Sequence, residues 1–360
     1  MREHFVLLDG MRGVAAVAVV TLHAGGLLGP FSFAAGYLAV DLFFIISGFV
    51  VDRAYSSRLA AGMSLNEFTR VRLLRLWPLF LLGLFIGVSV SAVGIALNPE
   101  SGWTASSLLL SAGLTALYLP TLFGRTSDPA YPLNSPSWTL FFELLVNALY
   151  AAAHRMVTVS MLIGCVVLMG SGLLWCSIMW GDLDVGYDLQ TFPLGLLRVM
   201  FGFSIGVLIA RLRKPGMTSS SGLTGALLAI LAVILVGGPA FGIPAAMWDA
   251  CAVLLIFPVL VWKASHLVIN GRGAAFALAL GSASYALYAT HVPLLGLLFA
   301  LGRLFKINLA GMAPVSGLLV VSLLLIFAVL ADHWFDRPLR TKLARALLTG
   351  KTTASAPPAA

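Results

Sequence analysis

Charged residues are scarce in this chain. Only 10% of its 360 residues are Asp, Glu, Lys or Arg, whereas an average soluble domain contains about 25%. Hydrophobic residues make up 60% of the chain and the mean hydropathy is +0.99, which is more apolar surface than one buried core could use. The composition therefore excludes a soluble globular enzyme, a disordered chain and a collagen-like repeat.

Cysteine is also rare, with three residues in the whole chain: Cys165, Cys176 and Cys251. The first two fall on one predicted helix about 16 Å apart, which is too far for a disulfide bond. From this spacing we expect neither a disulfide framework nor a metal site.

Basic residues outnumber acidic residues by 22 to 14, giving a net charge of +8, but they form no basic domain. They lie in short clusters between apolar runs, so we expect no nucleic-acid partner. A membrane protein accounts better for this distribution, because short basic clusters mark the cytoplasmic loops between membrane helices.

Long apolar runs predict an all-α, polytopic protein of the lipid bilayer. Ten runs have about the length of a membrane-spanning helix: residues 11–29, 36–52, 75–97, 138–153, 157–180, 192–210, 222–241, 245–263, 275–300 and 312–332. A further apolar stretch, residues 106–122, is short and precedes a loop rich in proline and serine. We interpret it as a re-entrant or interfacial segment.

Ten crossings place both termini on one side of the membrane. That side then carries roughly six times as many Lys and Arg residues as the opposite side, so both termini are predicted to be cytoplasmic. Residues 1–336 are predicted to form a single transmembrane domain. Residues 337–360 are predicted to form a cytoplasmic tail, first basic and then rich in Ala, Pro, Ser and Thr. The apolar stretch 14–28 is expected to stay as the first helix and not to be cleaved as a signal peptide.

Seven ionisable residues lie within the predicted membrane helices, where a charge costs on the order of 3 kcal/mol unless it has a partner or water. One such residue could simply hydrogen-bond two helices together. Seven of them favour a polar cavity inside the helix bundle. They are Arg12, His23, Asp41, Glu143, Arg198, Asp249 and His291.

Arg12 and His23 share one face of the first helix, because their separation corresponds to three turns plus about 20°. They lie about 16 Å apart along the axis, with Arg12 at the cytoplasmic end and His23 past the midplane. Arginine suits phosphate groups, and histidine can take up a proton near neutral pH. The pair would suit an elongated anionic cofactor that is held at one end and reacts deep in the membrane.

Asp41 and Ser47 fall on opposite sides of the second helix. Asp41 lies near the outer end, where it could pair with a cation or orient an acceptor hydroxyl. Ser47 lacks the G-x-S-x-G context of a nucleophile. Because small residues in membrane helices commonly serve close packing, packing is the expected role of Ser47.

Arg70, Arg72 and Arg75 end the loop before the third helix, next to Trp77. Two interpretations stay open for this cluster. It could be an interfacial positive cluster with a Trp anchor, or a phosphate grip at a helix entrance.

Glu143 lies about one and a half turns from Trp138, near the predicted depth of His23. A carboxylate at this depth could orient the imidazole or act as the base itself. Tyr288 and His291 share a helix face at i, i+3. His291 could bond two helices together or form part of a substrate site.

These motifs together resemble the acyltransferase 3 family of integral membrane acyltransferases. The matching parts are Arg12 with His23, and residues 39–49, 70–78, 137–143, 285–293 and 336–338, in the family's order and spacing. One departure is Thr139, where serine is usual. The resemblance implies a ten-helix protein of a bacterial cytoplasmic (inner) membrane. It also implies an acyl-CoA donor bound from the cytoplasm and acylation of a hydroxyl, often on an envelope polysaccharide or a lipid-linked glycan.

Residue by residue, the resemblance places the family's essential arginine and histidine at Arg12 and His23, and its Arg-x-Arg motif at Arg70 and Arg72. We predict three groups of site residues on this basis. The catalytic residues are His23, Glu143 and Arg12; acetyl-CoA is bound by Arg70, Arg72, Arg75 and Arg12; the substrate contacts are Asp41, Trp138, Tyr288 and His291.

In this hypothesis the pantetheine arm of acetyl-CoA extends from Arg12 toward His23. His23, oriented by Glu143, deprotonates a sugar hydroxyl that attacks the acyl carbon. A route through an acylated His23 is the alternative. A proton-coupled secondary transporter is the rival function, although no internal symmetry of the transporter kind is visible. The same chemistry on a secreted small molecule, such as a macrolide or a lipo-oligosaccharide, also stays open.

Overall fold

The computed structural model describes residues 4–97, 102–124, 126–214 and 216–348. The chain is 76% helical, and the described residues add one short parallel strand pair, β1 Thr218–Ser219 with β2 Leu267–Val268. This confirms the predicted all-α class. The α-helices are α1 Val6–His23, α2 Ala39–Ala60, α3 Leu65–Leu97, α4 Ala105–Ala116, α5 Ser137–Ala153, α6 Val159–Trp180, α7 Leu194–Leu212, α8 Ser221–Val236, α9 Ala245–Cys251, α10 Phe257–Ala264, α11 Gly271–Leu304, α12 Val315–Leu330 and α13 Arg337–Leu348.

Eight helical stretches of the described chain are long and apolar enough to cross a membrane. Three shorter apolar helices, α4, α5 and α8, accompany them. The multi-pass membrane protein predicted from the sequence is thereby confirmed. The number of ten crossings and the cytoplasmic side of the termini stay predictions. With 12 residues, α4 is about 18 Å long, shorter than the hydrocarbon core of about 30 Å.

Helix α3 begins at Leu65, ten residues before the predicted start, so the arginine cluster lies on a helix and not in a loop. The Ser64 hydroxyl caps the helix by accepting a hydrogen bond from the Glu67 backbone N–H at 3.2 Å. Ser-x-x-Glu is the sequence signature of such a start. Phe68 then buries its side chain completely, which attaches the first turns of α3 to the bundle.

Two π-helical turns join consecutive helices: the first lies inside the predicted span 245–263, and the second links the predicted span 312–332 to the predicted tail. Ala252–Ile256 connects α9 to α10, and Ala331–Asp336 connects α12 to α13. Each turn runs into a helix that carries a proline at its start, Pro258 or Pro338. Proline lacks the N–H needed for the regular helical bond, and a widened turn accommodates this loss. The helix α13 covers residues 337–348 of the predicted tail, and residues 349–360 lie outside the described residues.

Helices α2 and α7 pack with their backbones in direct contact. A Cβ atom added to Gly206 would overlap the carbonyl oxygen of Ile45, and one added to Gly48 would overlap that of Phe203. Glycine is therefore required on both helices at this crossing, as at other close crossings of membrane helices. The contact brings the face of α2 that bears Asp41 against α7.

Candidate active site

A central cavity lies between five helices: α1, α2, α3, α5 and α11. It has a volume of about 90 Å³, which makes it a narrow space between the helices. The charged residues on its wall are Arg12, Arg72, Arg75 and Glu143, and its hydroxyl-bearing residues are Ser47, Thr139, Ser284, Tyr285 and Tyr288. Of the seven ionisable residues that predict a polar interior, Arg12 and Glu143 line this cavity.

Arg72 and Glu143 form the main ion pair of the central cavity. Arg72 Nη2 donates to Glu143 Oε1 at 2.7 Å. The Ser47 hydroxyl donates to the same oxygen at 2.9 Å. The Arg72 side chain is only 5% exposed, so its charge requires a close anionic partner. One carboxylate therefore joins α3 and α2 to α5.

The arginine cluster divides between two faces of α3. Residues two positions apart on a helix point about 200° apart. Arg72 therefore points into the bundle while Arg70 is exposed. Arg75 and Arg72, three positions apart, both line the central cavity, whereas Arg70 is not among its lining residues. The structure brings Arg12, Arg72 and Arg75 together and leaves Arg70 outside, because the segment is helical and not an open loop.

A second cavity, the terminal vestibule, adjoins the central cavity and has a volume of about 240 Å³. Arg12 and Arg75 line both spaces. The other charged or ionisable residues of the vestibule are His4, Asp9, Asp332, Asp336, Arg337 and Arg340. Both ends of the described chain therefore lie at the same end of the bundle.

His23 and His291 form a pair, with His23 Nδ1 and His291 Nε2 3.4 Å apart. His23 Nδ1 also lies 2.9 Å from the Val19 carbonyl oxygen, and His291 Nδ1 lies 2.8 Å from the Tyr288 carbonyl oxygen. A carbonyl oxygen only accepts hydrogen bonds, so both Nδ1 atoms carry the proton in the neutral rings. The single hydrogen of His23 Nδ1 is directed to the Val19 carbonyl, and we assign His291 Nε2 as a second, more distant acceptor for it. The lone pair of His23 Nε2 is then left for another partner.

The structure corrects the expected partner of His23. The sequence predicts that Glu143 orients His23, but the Glu143 carboxylate accepts hydrogen bonds from Arg72 and Ser47. His291 takes the orienting position instead. Counting helical turns from the sequence gives the depth of Glu143 in the membrane, and this depth is close to that of His23. It does not give the rotation of α5 about its axis. In the structure that rotation directs the carboxylate toward α2 and α3.

The central cavity ends before the histidine pair. Its lining residues include Arg12 but neither His23 nor His291. Tyr288 lies at the boundary: its ring packs edge-on against Phe43 at 5.6 Å and lies 5.9 Å from the His291 ring. Its hydroxyl lies 2.8 Å from that of Thr139. Phe43, Thr139 and Tyr288 thus line the part of the central cavity that comes nearest to His291.

Asp41 and Trp138 are placed with Arg198 and not on the central cavity. Arg198 donates to Asp41 through Nη2 at 2.6 Å and through Nε at 3.1 Å, and both side chains are 1% exposed. The Arg198 guanidinium lies over the Trp138 ring, 5.4 Å from its centre. Asp41 thus has a cation as its partner, which is one of the two roles that the sequence leaves open.

Asn134 is a positioning residue that the sequence does not indicate as part of the site. Pro293 has no N–H, so the carbonyl of Ala289 four residues earlier loses its helical donor. Asn134 Nδ2 donates to this carbonyl at 2.8 Å. The freed carbonyl is predictable from Pro293, but its partner comes from a distant loop, and no local pattern could identify it.

Comparison with known proteins identifies the fold's family. A family model described as an acyltransferase domain, acyltransferase 3, matches residues 5–332. The chain belongs to the acyltransferase 3 family. It is accordingly a membrane acyltransferase enzyme. The match includes every helix that lines the central cavity of this acyltransferase.

Three relatives of this acyltransferase come from bacteria. Protein 2 in the picA locus of Rhizobium radiobacter is 39% identical over 46% of this chain and 94% of the relative. BcsY of Komagataeibacter xylinus, named as a membrane-bound transacylase, is 25% identical over 94% of this chain and 84% of the relative. The exopolysaccharide production protein ExoZ of Rhizobium meliloti is 28% identical over 85% of this chain and 90% of the relative. No solved structure matches the chain.

Proposed function

We propose that this acyltransferase moves an acyl group, most simply acetyl, from cytoplasmic acyl-CoA to a hydroxyl of a carbohydrate such as an envelope polysaccharide or a lipid-linked glycan. The family supports acyl transfer. The names of the relatives BcsY and ExoZ support a transacylase linked to exopolysaccharide. A bacterial cytoplasmic membrane, where acyl-CoA and envelope precursors meet, is the proposed location.

The observation that carries the proposal is the basic connection between the two cavities. Arg12 and Arg75 stand where the terminal vestibule meets the central cavity. Arginine guanidinium groups bind phosphate through paired N–H donors. The vestibule is the wider space and suits the nucleotide of acyl-CoA, while the narrow central cavity suits the slim pantetheine arm. The thioester would then lie near Arg72 and Glu143.

The acceptor would be activated at the histidine pair. With the proton of His23 Nδ1 held by the Val19 carbonyl, the lone pair of His23 Nε2 is the one that can take a proton from an acceptor hydroxyl. His23 is partly exposed, which allows contact with a hydroxyl group. Separation of the donor cavity from the histidine pair suits an enzyme whose two substrates arrive from opposite sides of the membrane.

Membranes containing the protein, radiolabelled acetyl-CoA and crude envelope glycan test the function. We expect label in the glycan with the wild-type protein and at least about 100-fold less with His23→Ala. His333→Ala, which removes an exposed histidine from the π-helical turn after α12, is the matched control and should keep wild-type transfer. Uptake of label without incorporation would indicate a transporter. Near-normal transfer by His23→Ala would exclude the proposed role of that residue.

A further inference from the structure

The Ser47 hydroxyl differs from the Ser284 and Tyr285 hydroxyls of the central cavity in the group that accepts its hydrogen bond. The hydroxyls of Ser284 and Tyr285 donate to backbone carbonyls, those of Gly281 and Leu76. A helical serine commonly bonds to the carbonyl one turn earlier. The Ser47 hydroxyl instead donates to the Glu143 carboxylate at 2.9 Å. Ser47 is thus the hydroxyl of this cavity that a carboxylate base holds.

Arg72 completes the surroundings of this hydroxyl. Its Nη2 holds the Glu143 oxygen that accepts from Ser47, which orients the carboxylate. Its Nε is buried and has no hydrogen-bond partner in the described structure. An unpaired buried N–H is costly, and it is a donor available to a developing oxyanion. Nucleophile, base and orienting group are thereby present in one cluster, the arrangement typical of covalent catalysis.

The position of Ser47 also favours it over His23 as the first group to meet the donor. Ser47 lines the central cavity together with Arg12 and Arg75. Phe43, one turn away on the same helix α2, packs against Tyr288 in the lining of this cavity. A thioester entering past Arg12 therefore meets Ser47 in this cavity, whereas His23 is not among the residues that line it.

We propose that Ser47 is acylated by the donor as a covalent intermediate, a step that rests on the proposed function. The Ser47 oxygen forms a bond to the thioester carbonyl carbon while its proton passes to Glu143. The carbon–sulfur bond then breaks, and Glu143 returns the proton to the departing thiolate. The products are an ester on Ser47 and free CoA thiol, with no oxidant or reductant required.

The second half of the reaction transfers the group outward. The acceptor hydroxyl, deprotonated by His23, forms a bond to the ester carbon, and the bond from that carbon to the Ser47 oxygen breaks. The departing Ser47 oxygen takes a proton from Glu143, which regains one from water before this half, and His23 releases the acceptor's proton to water. Loss of His23 should therefore block the second half while leaving the first intact.

Purified protein mixed with radiolabelled acetyl-CoA and no acceptor tests the intermediate. After an acid quench, mass spectrometry of peptides should find one acetyl group on Ser47 in the wild-type protein. The same adduct should accumulate in His23→Ala. Ser47→Ala should lose the adduct and lower transfer to glycan by about 10²–10⁴-fold. Ser204→Ala, a buried helical serine outside the cavity, is the matched control and should behave as wild type.

Ser47→Cys guards against a variant that simply fails to fold. Its thiol should take the acetyl group as a thioester that neutral hydroxylamine removes. Wild-type transfer by Ser47→Ala, or an adduct on His23, would overturn the proposal. An inactive Ser47→Ala combined with no adduct in the wild type, His23→Ala and Ser47→Cys would also overturn it, leaving Ser47 as a positioning residue. A wild-type protein that transfers no acyl group would instead contradict the proposed function itself.

Discussion

His23 Nδ1 and His291 Nε2 lie 3.4 Å apart, although 268 residues separate them in the chain. The contact joins α1 to α11, and it leaves Nε2 as the free lone pair of His23. His291 is completely buried, so it acts through His23 and not by touching an acceptor. We therefore regard His291 as a positioning residue for His23.

We expect His291→Ala to lower kcat for glycan acylation by about 10- to 100-fold, because His23 loses a ring partner that helps to orient it. The double variant His23→Ala/His291→Ala should be no slower than His23→Ala alone, since residues that act as a unit are not additive. Rates with labelled acetyl-CoA measure both effects. Additive losses in the double variant would mean that His291 acts independently of His23.

Substitutions of Arg70 and Arg72 should have different effects on activity and stability, although the two residues are only two positions apart in the sequence. Arg72→Gln removes the buried partner of Glu143, and we expect loss of nearly all transfer activity together with a fall in stability of about 3 kcal/mol. Arg70→Gln changes an exposed side chain away from the cavity and should have a much smaller effect. Turnover and thermal unfolding in detergent measure these changes. Equal effects would contradict the assignment of the two arginines to different helix faces.

The pair formed by Asp41 and Arg198 should act on stability. Arg198→Gln leaves the Asp41 carboxylate buried without a cation, which costs about 3–5 kcal/mol. Arg58→Gln is a matched control, because its ion pair with Glu67 is exposed and 3.7 Å long, and such pairs contribute about 0–1 kcal/mol. Thermal unfolding of both variants compares them. The double variant Asp41→Asn/Arg198→Gln should recover part of the loss, and equal unfolding of the two single variants would be inconsistent with this role.

The crossing of α2 and α7 should not tolerate a methyl group. Gly206→Ala would place Cβ against the Ile45 carbonyl, and forcing the helices apart should cost about 1–3 kcal/mol or more. Gly164→Ala, on α6 with open space around the added atom, should be neutral or stabilising by up to about 1 kcal/mol. Yield of folded protein and thermal unfolding distinguish the two. Comparable behaviour would show that this crossing relaxes freely.

Parts of the candidate site could be predicted because they depend on a single helix. Arg12 and His23 follow from helical spacing, and so does the i, i+3 relation of Tyr288 and His291. The true start of α3 was also readable, from the capping signature at Ser64, but the apolar run beginning near Arg75 is the stronger signal and leads to a start that is too late. Once α3 is known to be helical, the exposure of Arg70 follows from geometry.

The sequence by itself determined that this protein is helical, that it lies in a membrane and that polar groups line its interior. These properties depend on hydropathy and on the cost of an unpaired charge in hydrocarbon. Both can be evaluated for each stretch of the chain by itself, without knowledge of its neighbours in space. Tertiary structure alone decided that Glu143 faces Ser47 and Arg72 and that His291 faces His23. Partner choice depends on how each helix is rotated and set against its neighbours, and the glycines that permit close approach act only once two helices meet.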